Sequence, residues 1–131
     1  MSQEHVEMVR ALWEAWERGD LTGWLELMSD DLVTRRRVGL DSTTYHGKEG
    51  FLEQASEWSE GFAEWSVVAE EFIDAGDQVV VRNHHTARGE ASGIPIEMDF
   101  WFVTTVSQGK VVRVDMFVNE REALEAVELS E

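Results

Sequence analysis

Glu64–Asp74 (EWSVVAEEFID), Gln78–Arg88 (QVVVRNHHTAR), Ile94–Val106 (IPIEMDFWFVTTV) and Val111–Val118 (VVRVDMFV) are the stretches whose reading decides the fold. Each is rich in β-branched and aromatic residues, as strands are. The connectors Ala75-Gly76-Asp77, Gly89 to Gly93 and Ser107-Gln108-Gly109 carry turn residues. Connectors this short between long strands imply antiparallel hairpins, hence a four-stranded meander.

Working back toward the N-terminus, the period changes. Glu4 to Arg18 reads as a helix, with Val6, Val9, Trp13 and Trp16 in one apolar stripe. Gly19 is placed to end it in a left-handed cap, and Asp20 to cap a second helix, Leu21 to Met28. Asp30-Asp31 breaks that helix, and Leu32 to Val38 reads as a strand despite Arg35-Arg36-Arg37. Asp41 to Gly47 reads as a polar loop, and Lys48 to Trp58 as a third helix through Phe51, Leu52, Ala55 and Trp58. Beyond the meander, Asn119 and Glu122 form a capping box opening a last helix to about Val127. Helices grouped beside an antiparallel sheet define an α+β fold. No linker, repeat or low-complexity run divides the chain, so residues 1–131 are read as one domain.

Composition narrows the function classes. The 131 residues suffice for one real core, and six Trp with six Phe supply large buried area. The chain has no cysteine, which excludes disulfides, thiolate metal sites and a cysteine nucleophile. A net charge of −16 repels nucleic acid and anionic membranes, and three successive arginines make a poor nucleic-acid site. Neither a signal peptide nor a membrane span of roughly 20 apolar residues is read, so a cytoplasmic location is expected.

Gly19-Asp20-Leu21 with Asp30-Asp31, Tyr45-His46-Gly47-Lys48-Glu49-Gly50, Asp74-Ala75-Gly76-Asp77 and Gly109-Lys110-Val111-Val112-Arg113-Val114 resemble the nuclear transport factor 2-like (ketosteroid isomerase-like) superfamily, and within it the SnoaL-like group. The resemblance runs from about His5 to Leu129. It implies a cone-shaped curved sheet, a cystatin-like α+β barrel wrapped by three helices from the N-terminal half. It also implies an apolar internal pocket and a homodimer through the outer sheet face.

On that resemblance, strand alternation sorts the side chains. Thr34, Arg36, Asn83, His85, Ala87, Met98, Phe100, Phe102, Val114, Met116 and Val118 should face the pocket. Arg82, His84, Arg88, Glu97, Asp99, Trp101, Arg113, Asp115 and Phe117 should face outward. Trp13, Trp16, Trp58 and Phe62 should reach the pocket, as core, as lining or as both.

The resemblance also locates the family's catalytic carboxylates, and none is retained. The ketosteroid isomerase base falls at Arg36 and its helix tyrosine at Leu12, while its oxyanion acid falls near Phe100 or Trp101. The epoxide hydrolase acids fall at His85 and Met116, and the cyclase acid at Met116. Arginine cannot serve as a base near neutral pH, and methionine transfers no proton.

The polar candidates that remain are His85 and Arg36 as a catalytic pair, with Thr34 and Asn83 as orienting groups. His85 is a general acid or base, or else a hydrogen-bonded histidine in a wet cavity. Arg36 binds a carboxylate or enolate oxygen, or else pairs with an acid at the mouth. His84 and His85 point to opposite faces, so they cannot chelate one ion, and no metal or other cofactor is expected. Two functions follow. One is acid–base chemistry (isomerase, cyclase or hydrolase type) on a small, largely apolar carbonyl compound. The other is a ligand-binding or dimerisation module without turnover.

Overall fold

The computed structural model describes residues 2–38, 41–60 and 62–130. Helices α1 (Ser2–Glu17) and α2 (Leu21–Glu26) lead into strands β1 (Met28–Val38) and β2 (Asp41–His46), then helix α3 (Gly47–Ser59). The meander follows as β3 (Phe62–Ala75), β4 (Gln78–Gly89), β5 (Pro95–Ser107) and β6 (Lys110–Phe117), before helix α4 (Glu120–Ser130). The chain is α+β, as its pattern indicated.

The caps act where the sequence placed them. Gly19 has φ 75, and the Asp20 amide closes α1 on the Ala15 carbonyl at 2.9 Å. The Asp20 carboxylate then accepts from the Gly23 amide at 2.9 Å to start α2. Asn119 Oδ1 accepts from the Glu122 amide at 2.8 Å to start α4. Gln108 and Gly109 both have positive φ, the requirement of a type I′ hairpin turn between β5 and β6.

One six-stranded sheet runs β2-β1-β6-β5-β4-β3. All pairings are antiparallel except β1 with β6, which is parallel and brings Thr34 beside Val114 and Arg36 beside Met116. The sheet is therefore mixed and stays open, with β2 and β3 as its edges. Register shifts in β1, β3 and the β5–β6 pair bend it, as bulges do.

Three local readings change. Asp41 to His46 is a strand, because the free edge of β1 pairs with it from Val33–His46 to Val38–Asp41. That segment lacks apolar alternation because it is an edge whose partner supplies the order. β1 starts at Met28 and takes in Asp30 and Asp31, and α2 is correspondingly shorter. Val118 lies past the end of β6 and is 39% exposed, so it does not face the pocket.

The helices divide between the two faces. α1, α2 and α3 cover the concave face, where Val9, Leu12, Trp13 and Trp24 pack on Val79, Val81, Phe102 and Val114. α4 lies on the opposite face, with Ala123 and Val127 over Val80, Val103 and Phe117. Val79, Val80 and Val81 are all fully buried because both faces of β4 are covered there. No helix among the described residues is long and apolar enough to cross a membrane.

Candidate functional site

A cavity of about 60 Å³ lies between the concave face and α1–α3. Its walls are mainly aromatic: Trp13 and Trp16 from α1, Trp24 from α2, Phe51 from α3, Trp65 from β3 and Phe102 from β5. Among the described residues, four polar side chains reach it: Thr34 and Arg36 from β1, Gln54 from α3 and His85 from β4. Among the described residues that line it, none is a carboxylate.

The inward set expected from strand alternation divides here. Thr34, Arg36, His85, Phe102, Val114, Met116 and Trp13 line the cavity. Met98 lines a smaller recess beside it, with Ala87, Trp65 and His85. Phe100 stands edge-on to His85 with centroids 4.8 Å apart, one layer behind the wall. Asn83 is fully buried in the sheet, away from the cavity. Both polar ends of its amide lack a hydrogen-bond partner among the described residues. The Trp58 side chain lies outside the described residues.

Trp16, expected as lining, does line the cavity, and Phe62 lines the smaller recess, whereas Trp24, Phe51, Gln54, Ala55, Trp65 and Val67 complete the wall and were not singled out as ligand contacts. Helical spacing placed Trp16, Trp24 and Phe51 on apolar stripes, which marks core without distinguishing a cavity. Trp65 could have been found from strand parity, since Val67 pairs with His85 and Trp65 is two residues away on the same face.

Burial sets the protonation of His85. It is 6% exposed, and its pKa is lowered to about 4, first by desolvation and then by the neighbouring charge of His84. Trp65 Nε1 donates to His85 Nδ1 at 3.2 Å, with the two rings inclined by 27°. At neutral pH His85 is an uncharged imidazole.

Arg36 reaches the cavity at the β1 edge, and its Nη2 donates to the Tyr45 hydroxyl at 3.5 Å. That hydroxyl in turn donates to Glu57 Oε1 at 2.7 Å, so the acid expected beside Arg36 is reached through a phenol. The bond to Glu57 also raises the Tyr45 pKa, with burial adding to it. Behind this chain, β2 and α3 form an open groove of about 480 Å³ that carries Glu49, Glu53 and Glu57.

The outer face has a different character. His84 Nδ1 lies 2.7 Å from Asp99 Oδ1, and Nε2 lies 3.3 Å from Glu97 Oε1. These bonds raise its pKa, Asp99 contributing most. Arg82 Nη1 donates to Glu70 at 3.1 Å and to Asp99 at 3.4 Å. Asp115, the carboxylate next to the family's acid position, also faces this side, bound by Arg113 at 2.8 Å. His84 and His85 do fall on opposite faces, but Glu70, His84 and Asp99 bring one ligand atom each within 4.8 Å of one another. Those three could hold a divalent ion, in competition with Arg82, which already bonds to both carboxylates.

A curved sheet closed by helices over an aromatic cavity defines the class: α+β pocket folds of the nuclear transport factor 2-like type. Within that class the chain belongs to the SnoaL-like family, whose domain model matches residues 9–114. Comparison with curated proteins gives no match. Among solved structures, an NTF2-like protein from Burkholderia pseudomallei K96243 is similar at 23% identity, covering 94% of each chain with a TM-score of 0.74. TerC, co-crystallised with polyporic acid, is 23% identical over 94% of this chain and 97% of its own, with a TM-score of 0.73. A protein from Catenulispora acidiphila DSM 44928 with a ketosteroid isomerase-like fold, in complex with trimethylamine, is 15% identical. That likeness covers 93% of this chain and 92% of the other, with a TM-score of 0.70. At these identities the likeness establishes the fold.

Proposed function

We propose that the cavity binds a small, largely apolar molecule carrying an oxygen that Arg36 and His85 contact. The observation that carries this reading is the convergence of Thr34, Arg36, Gln54 and His85 on one aromatic-walled cavity. Organic ligands in TerC and in the Catenulispora protein support it by analogy of fold. A cavity of about 60 Å³ is well below the several hundred Å³ usual for drug-sized ligands. The ligand is therefore small, or the tryptophan walls move apart to admit it.

Turnover, on this reading, is electrostatic: Arg36 and neutral His85 polarise a carbonyl by donating to its oxygen. A histidine with a pKa near 4 is too weak a base to drive proton abstraction at neutral pH. The alternative is a binding module without turnover, favoured by Met116 where the family's acid would stand.

Quenching of Trp fluorescence by benzoate and by acetophenone, which share a ring and differ in charge, tests the reading. Arg36→Met should weaken benzoate about tenfold or more and acetophenone little. Equal losses for both would reduce Arg36 to a structural role, and no quenching by either would count against the cavity as a site. The homodimer belongs to the same proposal, and light scattering at tens of micromolar checks it, a clean monomer counting against it.

A further inference from the structure

We infer that Trp65 is a positioning residue that fixes His85 as the tautomer carrying its proton on Nε2, so that His85 meets a ligand as a hydrogen-bond donor. The geometry carries this. An indole Nε1–H can only donate. It points at His85 Nδ1 from 3.2 Å, so Nδ1 supplies a lone pair and cannot hold a proton. The neutral ring has one proton, which therefore sits on Nε2.

The local fold makes this contact specific. β3 pairs with β4 so that Val67 lies opposite His85, which puts Trp65 at the diagonal position on the same face. The register breaks between Ala63 and Ser66, and Glu64 has φ 54, so a bulge lies beside Trp65. Phe100 stands edge-on to the imidazole at 4.8 Å from the other strand and resists ring rotation. A proton added at Nδ1 would set two N–H groups against each other. Trp65 thus opposes the imidazolium directly, in addition to burial.

The consequence is a group of donors on the cavity wall. Arg36 has no acceptor atom, and the buried Nε1–H groups of Trp13 and Trp24 have no partner among the described residues. His85 adds a fourth donor rather than a base. A ligand suited to these donors presents an acceptor oxygen to them, as a ketone or carboxylate does, while Gln54 Oε1 on the same wall is an acceptor without a partner among the described residues. This last step rests on the cavity being the binding site, whereas the tautomer does not.

The test is therefore made on ligand-free protein. Long-range ¹H–¹⁵N correlation of the imidazoles at pH 7, with His85 assigned by its absence in His85→Phe, reads the tautomer directly. The expected pattern is a pyrrole-type Nε2 and a pyridine-type Nδ1. The reverse pattern, or two pyrrole-type nitrogens, would overturn the inference whether or not the cavity binds anything. Trp65→Phe keeps the ring and removes the donor, so the two nitrogen shifts should converge as both tautomers become populated. Unchanged shifts in a folded Trp65→Phe protein would free Trp65 of the role. If that variant does not fold, coupling across the hydrogen bond from Trp65 Nε1 to His85 Nδ1 in the unaltered protein decides: present, it supports the role, and absent, it refutes it.

Discussion

His84 and His85 are consecutive, yet the sheet gives them opposite chemistry. His85 points to the concave face, sits against Trp65 and Phe100, and is driven to the neutral form. His84 points outward between Asp99 and Glu97 and is favoured in the charged form. One residue of strand register separates a low-dielectric aromatic cage from a solvated charge network. The two faces should therefore differ in what each loses on substitution, on titration and in salt.

The largest difference should appear in packing. Trp24 is fully buried and touches Trp16 and Phe51 with ring centroids at 5.0 and 4.2 Å. Trp24→Ala should cost about 3–5 kcal/mol in urea unfolding, as deletion of a fully buried large aromatic does. Trp101 is only half-buried beside the smaller outer cluster, so Trp101→Ala should cost distinctly less. Equal losses would mean that the outer cluster under α4 matters as much as the concave core.

Titration should separate the histidines by sign. The folded pKa of His85, about 4, lies below its unfolded value of 6.5, so between these values the unfolded chain binds more protons. Stability should therefore fall as the pH drops from 6.5 toward 4, by up to about 3 kcal/mol. His85→Phe should remove that part of the slope. For His84 the folded pKa is raised, so its contribution is complete below 6.5 and is lost as the pH rises through the folded value. His84→Gln should thus remove stability mainly on the acid side. A His85→Phe protein with the original acid slope would break the assignment of that slope to the inner face.

Asn83 sharpens the contrast, because it is a polar residue on the apolar face. Its amide is fully buried with neither end paired among the described residues, a situation that costs about 1–3 kcal/mol. Asn83→Leu, close in size, should raise the unfolding free energy by about 1 kcal/mol. A loss instead would show that the amide is satisfied, for instance by internal water, and that the inner face is wetter than its walls suggest.

How much of this was legible follows from which forces are local. The meander was readable because β-rich runs and turn residues lie together in sequence, as at Gln108-Gly109. The caps at Gly19, Asp20 and Asn119 were readable because each acts within three or four residues. β2 was missed because Thr43, Thr44 and Tyr45 are ordered by an edge partner that sequence pattern does not reveal. The parallel join of β1 to β6 connects segments some 80 residues apart. Strand parity put Thr34, Arg36, His85, Phe102 and Met116 on the cavity side. Parity could not separate them from Asn83, Met98 and Phe100, because depth along a strand depends on how the helices sit. The Arg36–Tyr45–Glu57 chain was hidden for a related reason: it crosses three elements.

The smallest effect should come from the outer charge network, and its smallness is informative. Arg82 bonds Glu70 and Asp99, but these side chains are 30%, 42% and 32% exposed. Ion pairs this wet gain little over hydration, typically about 1 kcal/mol or less. Arg82→Met should therefore cost no more than about 1 kcal/mol at low salt. Most of even that should vanish by about 1 M salt, where screening acts within a few ångströms. The same substitution removes the cation that competes for Glu70, His84 and Asp99. Added zinc should then raise the melting temperature of Arg82→Met more than that of the unaltered protein. A loss of several kcal/mol that persists in high salt would mean that the network is dry, as it would be if a second surface covered this face.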